Sequence, residues 1–516
     1  MATALRQLLG AGTAPISTHD PGLRVAAAIL LIVAICARWR VFGDPVIHID
    51  EQFYWLVGGR MLHGDLPYVD IWDRKPIGLF LLYALFHLLG RGVIAYQIGA
   101  LLSVWATALL LFAMGRRIAP PVGALAGAIL YILYLDLAGG EGGQAPVFYN
   151  LPVAAAIALI FFQRHRVEAK EGDLRWIGAG AMLLFGVALQ IKYSALFEGL
   201  FAGIALLWRA WRGGRPPGAL VGDALIWIGC ALAPTLAAAG FYAMIGHGRD
   251  WWFANATSIL QRGSEQPDSI RTRIAVMAGL MVPLVLCVPL RRWTGSRPVD
   301  PAARDDLRFL DGWAASALLG VVLFGSWFNH YALPLFSPFA LVAAPLWNGK
   351  AGRAWLVTML VVIAAWGQHM LWRHGITRGT AKTLDAAVEA TRGFRGCLFV
   401  YDGMPALYDA AGSCLPTTHP FPSHLQSLNE SGATGVDGAA EVRRIMVGRP
   451  DRVMTMEPAY DEENLAARAE LYRALSPDYR LLYRYTGSAH EFAVYGLRAT
   501  TAGMAVRVDR PDTRFF

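Results

Sequence analysis

Charge is scarce in this chain. Only 16% of its 516 residues are Asp, Glu, Lys or Arg, whereas 55% are hydrophobic, and the mean hydropathy is +0.40. A soluble globular domain carries nearer a quarter charged residues. One large soluble enzyme is therefore excluded, and so is a disordered chain. Cysteine is also sparse: there are five, at no spacing that suits a zinc or haem site, which excludes a small disulfide scaffold. A removable signal peptide is missing as well. Val25 to Ala37 is apolar but is followed by Arg38, Trp39 and Arg40, not by a small-residue cleavage site. That run reads as a first spanning helix with both arginines snorkelling at the interface.

What the chain has is long apolar runs. They lie near 23–42, 93–115, 119–137, 147–163, 176–193, 195–211, 219–244, 273–290, 309–328, 331–348 and 354–372. Runs near 20 residues suit a bilayer, so the expectation is about eleven transmembrane helices. Ile77 to Gly90 is apolar but short, and reads as interfacial or re-entrant. The net charge of +8 would suggest nucleic acid in a soluble protein. Here the cations gather in short loops: Arg116 and Arg117; Arg164, Arg166 and Lys170; Arg209, Arg212 and Arg215; Arg291 and Arg292; Lys350 and Arg353. That is the positive-inside pattern, so the expected partner is a lipid bilayer and not nucleic acid. It places segment 1–22 in the cytoplasm and, with an odd span count, the C-terminus outside. Arg249, Arg262 and Arg271 in the loop near 246–272 run against the bias.

From Arg373 onward the pattern changes. Cys397 to Tyr401 reads as a strand, Ala439 to Val447 as a helix and Arg452 to Met456 as a strand. Leu465 to Leu475 reads as a helix, then Tyr479 to Tyr485 and Glu491 to Leu497 as strands. This suggests a small α/β domain over 373–516, outside the membrane. Cys397 and Cys414 lie there, and a disulfide or two buried thiols fit equally. The fold class is thus an α-helical polytopic membrane protein with a small C-terminal α/β domain.

The first loop, 43–92, holds most acidic residues of the N-terminal half. Asp50 and Glu51 precede a helix of about three turns, with Phe53, Leu56, Val57 and Met61 near amphipathic spacing. Carboxylates at a helix N-terminus are favoured by its dipole alone. Beside a membrane, however, they are costly and usually functional. Gly64, Pro67 and the aromatic Tyr68–Trp72 stretch imply a structured return, and Arg74-Lys75-Pro76 sets fixed cations at its end.

The motifs Asp50-Glu51-Gln-Phe-Tyr54, Gly64-Asp-Leu-Pro67-Tyr68-Val-Asp70 and Lys75-Pro76 resemble the first periplasmic loop of GT-C glycosyltransferases. The nearest groups are the protein O-mannosyltransferases, the aminoarabinose transferases and the Rgt-type galacturonosyltransferases (glycosyltransferase families 39 and 83). Gly115-Arg116-Arg117, Lys192-Tyr193-Ser194 and Asn329-His330-Tyr331 agree, so the resemblance covers roughly 25–350. The chain departs where such families carry an acid in the second outer loop. Pro146 stands there, leaving Glu141 or Asp136 as substitutes. Gln97 stands where they carry an arginine.

The resemblance implies transfer of a monosaccharide, a hexose or pentose, from a polyprenyl-phosphate donor to a cell-envelope acceptor (lipid, glycan or protein). The reaction would take place at the outer face of a bacterial inner membrane. It needs a carboxylate to take the acceptor proton and positive charge for the departing phosphate. Asp50 is assigned as base, Glu51 as orienting a sugar or the acceptor, and Lys75, with Arg74 and Lys192, as phosphate ligands. Tyr54, Tyr68, Asp70, Glu141, His330 and Tyr331 are candidate substrate contacts. For His330 and Tyr331 an interfacial aromatic belt is an equal reading, and for Lys192 a snorkelling anchor. Without a covalent intermediate, the anomeric configuration inverts. No cofactor is required: lysine alone can meet the charge of a monophosphate leaving group, and a divalent metal is not excluded. A transporter or flippase is the alternative, against which stand the lack of an inverted repeat and the few internal charges. A mere anchor for a functional C-terminal domain ranks lowest, since that domain has no phosphate loop, nucleophile elbow or metal motif.

Overall fold

The structure, a computed structural model, describes residues 21–90, 92–168, 174–325, 327–459, 462–487 and 489–511. Segment 1–20 and Lys170 lie outside these. Each of the eleven apolar runs forms a helix: Pro21–Arg38, Ile94–Gly115, Pro121–Leu135, Ala145–Glu168, Leu174–Leu189, Leu196–Arg212, Pro217–Met244, Pro267–Val285, Pro301–Phe324, Leu333–Ala343 and Lys350–Arg378. Among the described residues, six helical stretches are long and apolar enough to cross a membrane. The protein is an α-helical membrane protein with a small C-terminal sheet domain. The short run forms helix Ile77–Leu89, 13 residues and so about 20 Å long, against ~30 Å of hydrocarbon.

The chain groups into two compact units, both discontinuous in sequence. One comprises Met1–Arg40, Ile98–Ala238 and Asp268–Met370, the other Val41–Gln97, Ala239–Pro267 and Leu371–Phe516. The first loop thus groups with the C-terminal region.

In the first unit, Gly123 and Gly127 let helix Pro121–Leu135 lie directly on the chain of 333–348. A Cβ at either would sit 2.7 Å from the carbonyl oxygen of Ala344 or Ala340, the small-residue contact used between membrane helices. Three of the loop arginines meet one stretch of helix Pro301–Phe324. Arg117 pairs with Asp306 at 3.4 Å, Arg209 with Asp305 at 2.5 Å and Arg291 with Asp311 at 2.7 Å. Cations from loops assigned to one side of the membrane therefore do lie together. Arg40 is exposed beside Trp39, as a snorkelling residue is. Arg38 is not. It is 1% exposed and donates to the backbone carbonyls of Gly140 at 2.6 Å, Glu141 at 2.8 Å and Gly142 at 3.3 Å. The polar loop 139–144 needs donors inside the protein, and a guanidinium fork supplies several at once.

In the second unit, the C-terminal region forms a five-stranded sheet of order β1-β2-β4-β3-β5. The strands are β1 (Leu398–Val400), β2 (Arg452–Glu457), β3 (Tyr479–Thr486), β4 (Glu491–Leu497) and β5 (Arg507–Asp509). β1–β2 and β3–β5 are parallel pairs, while β2–β4 and β3–β4 are antiparallel. Helices Gly438–Val447 and Leu465–Asp478 cover the sheet through Val442, Ile445, Met446, Ala467, Leu471 and Leu475, packed with Phe399, Val453 and Leu497. The predicted strands and helices are all present, and β5 is additional. Cys397 and Cys414 form a disulfide.

Candidate active site

Helix Ile49–Met61 starts at His48, whose extended backbone (φ −145°) lets its side chain accept from Asp50 N at 3.3 Å. The amphipathic expectation fails here, because Glu51 through Gly59 are buried on every side. One side packs on helix Ile77–Leu89. A Cβ at Gly58 would lie 2.7 Å from the backbone of Tyr83 and Ala84, and Trp55 stacks on His87 with centroids 3.4 Å apart. The other side meets the C-terminal region: Gln52 Oε1 accepts from Ala406 N, and Trp55 Nε1 donates to Asp409. A helix covered from both sides has no polar face to show.

The two adjacent acids diverge. The Asp50 side chain is 14% exposed and lies 3.4 Å from His48 Nδ1. Glu51 is fully buried, among the phenols of Tyr83 and Tyr96. Its side chain lies inside the helix packing.

Lys75 is held at several points. Its backbone N–H donates to Asp73 Oδ1 at 3.0 Å, and its carbonyl accepts from Tyr68 OH at 2.8 Å. Its ammonium lies 3.8 Å from Asp73 Oδ1 and 5.7 Å from the ring centre of Tyr54. Asp73, 3% exposed and also accepting from Arg74 N, organises this turn. Its place just before Arg-Lys-Pro was the available signal, since such side chains bond their own following backbone. Tyr68 has φ +71°, a conformation costly for a non-glycine residue and often found at functional sites. Its ring packs on Tyr242, whose hydroxyl donates to the Pro67 carbonyl. Tyr54 and Tyr68 are buried, so they support Lys75. Asp70 is exposed and accepts from Leu66 N at 2.7 Å. It lines a cleft of about 350 Å³ with Arg60, Asp65, Thr417, Thr418 and Arg444.

Arg74 turns to the C-terminal region. It makes a two-pronged pair with Glu430, at 2.9 and 2.6 Å. Arg262 reaches the same carboxylate at 2.9 Å, which explains a cation that ran against the charge bias. Burial pushes the Glu430 carboxyl up, but the bonds and charge of Arg74, then the charges of Arg262 and Lys75, outweigh it and hold it below the usual range. Trp72 N donates to Thr418 O at 2.7 Å, and its indole abuts His419 and His424.

Burial lowers the pKa of both histidines. For His424, nearby His419, Arg74 and Lys75 lower it further; for His419, the Thr434 carbonyl and Glu441 partly offset burial. The unfolded chain binds these protons near 6.5, whereas the folded chain resists them. Stability is therefore complete above about 6.5 and is lost as pH falls toward the depressed values. Thermal unfolding in detergent, followed from about pH 8 down to about pH 5.5, should show this loss, and His424→Leu should shrink it.

In the first unit, Lys192 is 8% exposed, and its ammonium lies 3.9 Å from the ring centre of Tyr331. A snorkelling anchor would reach out to solvent; this side chain is enclosed. His330 is half-buried and lies between Phe328 and Tyr331. Glu141 is 1% exposed, in the loop whose carbonyls Arg38 binds. Asp136, also buried, caps helix Pro121–Leu135 at its C-terminus. Gln97, in the second unit, secures the start of the first loop: Oε1 accepts from Gly43 N at 2.7 Å, and Nε2 donates to Asp44 O at 2.9 Å. The predicted residues thus divide between the units. Asp50, Glu51, Tyr54, Tyr68, Asp70, Arg74 and Lys75 belong to one, and Glu141, Lys192, His330 and Tyr331 to the other.

The fold is similar to that of two solved structures of ArnT from Cupriavidus metallidurans. One, bound to undecaprenyl phosphate, gives a TM-score of 0.58, and the other, in the apo state, 0.57. Each covers 91% of this chain and 97% of that chain, at 14% identity. The chain has the GT-C fold. No protein-family model matches the sequence, and no curated protein does. At such low identity the GT-C likeness is one of architecture, so roles rest on this chain's own residues.

Proposed function

We propose that this protein is an inverting glycosyltransferase that moves a monosaccharide from a polyprenyl-phosphate donor to a cell-envelope acceptor. The observation that carries the reading is the link between Asp50 and Lys75. Tyr54 lies one helical turn from Asp50, on the same face, and its ring lies under the Lys75 ammonium. A carboxylate and a preorganised cation thus both neighbour Tyr54. The GT-C architecture, shared with a protein solved with undecaprenyl phosphate, agrees.

The acceptor oxygen attacks the anomeric carbon as the bond to the phosphate oxygen breaks. Asp50 takes the hydroxyl proton. Lys75 neutralises the phosphate as it leaves with the bonding pair. Glu51 and Tyr54 hold the helix and the lysine. Asp70 serves the acceptor side. Lysine meets the charge of a monophosphate, so no metal is required. The site faces the periplasm from the bacterial inner membrane, with the N-terminus in the cytoplasm and the C-terminal domain outside. The charge bias of the loops supports this orientation.

Purified protein, supplied with extracted polyprenyl-phosphate sugars and cell-envelope acceptors, should form product with the opposite anomeric configuration, read by NMR. Retention would overturn the mechanism. No transfer with the full donor range would overturn the function in favour of transport.

A further inference from the structure

We infer that Glu430 is a positioning residue for donor-phosphate binding, acting through Arg74 on Lys75. The inference rests on the reading of Lys75 as the phosphate ligand.

Glu430 joins three segments far apart in sequence: the first loop through Arg74, segment 239–267 through Arg262, and its own turn, Leu428–Glu430, in the C-terminal region. Its side chain is 7% exposed and that of Arg74 is 18%. The planar fork fixes the direction of the arginine as well as its distance. Arg74 Nε also lies 3.4 Å from Ser258 Oγ, and its guanidinium sits 5.2 Å from the Trp72 ring centre. The neighbouring turn agrees, because Asn429 O accepts from Gly263 N at 2.8 Å, and Asn429 Nδ2 donates to Glu265 at 3.4 Å.

Arg74 and Lys75 are consecutive cations that share Asp73, which accepts from both backbone N–H groups. With Glu430 in place, the guanidinium has its own carboxylate and Asp73 stays on the Lys75 turn. With Glu430 neutral, Arg74 turns to Asp73, the nearest remaining acid along the chain. That pulls Asp73 from the Lys75 backbone and misplaces the ammonium. Arg74 is thus not itself a phosphate ligand here; it transmits the hold of the C-terminal region to the residue after it.

The test titrates undecaprenyl phosphate in detergent against the intact protein, read by the fluorescence of Trp72 and its fellow tryptophans. Glu430→Gln should raise Kd by about tenfold. Lys75→Ala should raise it at least as much, and the double variant should bind no worse than Lys75→Ala alone, because the two act on one contact. A Glu430→Gln Kd that is unchanged or tighter overturns the inference. So does additivity in the double variant, the mark of a merely structural role. If Glu430→Gln does not fold, Glu430→Asp decides. It keeps the charge but shortens the reach, and it should weaken binding by a smaller factor; an unchanged Kd again overturns the inference. Failure of the wild-type protein to bind undecaprenyl phosphate would instead remove the proposed function beneath it.

Discussion

Replacing Asp50 by Asn is expected to slow transfer by about 10²–10⁴-fold, the usual contribution of a positioned general base, with folding unchanged. The amide has the shape of the carboxylate, and the cap of this helix uses the Asp50 backbone N–H, which the variant keeps. The side chain is 14% exposed and lies beside His48 Nδ1. Donor binding should hold, because Lys75 takes its position from Asp73, Tyr68 and Tyr54. The signature is therefore a fall in kcat with an unchanged KM for the donor. Equal rates for Asp50→Asn and wild type would discard Asp50 as the base. Glu51→Gln is the informative comparison. Glu51 is wholly buried among tyrosines, so its replacement should change melting more than the rate constant.

The second large effect belongs to Arg38→Leu. Three carbonyl bonds to one charged donor are lost together. Hydrogen bonds to charged groups contribute about 1.5–3 kcal/mol each, so the loss should be at least about 3 kcal/mol even with partial relaxation. Thermal unfolding in detergent measures it directly. Arg38→Lys should recover only part, because an ammonium cannot reproduce the fork that spans carbonyls from Gly140 to Gly142. A fully stable Arg38→Leu protein would show that loop 139–144 finds other donors and that Arg38 is no clamp. Since the loop carries Glu141, transfer should fall beyond what melting explains if Glu141 contacts substrate.

Helices were legible in the sequence because bilayer thickness sets run length, which hydropathy reads directly. The C-terminal strands were legible because their turns and β-rich runs are local. The first loop announced itself through its acids, its aromatic return and its Lys-Pro end. Burial was not legible. The spacing of Phe53, Leu56, Val57 and Met61 suggested one apolar face, but Gly58 admits a second helix and Gln52 meets a distant backbone. Arg38 looked like a snorkelling residue because no local pattern marks carbonyls a hundred positions away as its acceptors.

The sequence alone determined the membrane class, the positions of the helices, the strand and helix order of the C-terminal domain, and which loop holds the carboxylates and the lysine. All of these follow from local composition and periodicity. Only the tertiary structure decided which of two neighbouring acids stays open and that Arg74 is spent on Glu430. It alone decided that Cys397 and Cys414 are joined and that the first loop, within Val41–Gln97, groups with the distant region Leu371–Phe516. The physical reason is that these outcomes depend on which partner desolvates which group. A partner brought near only by folding leaves no trace in the spacing of the residues it meets.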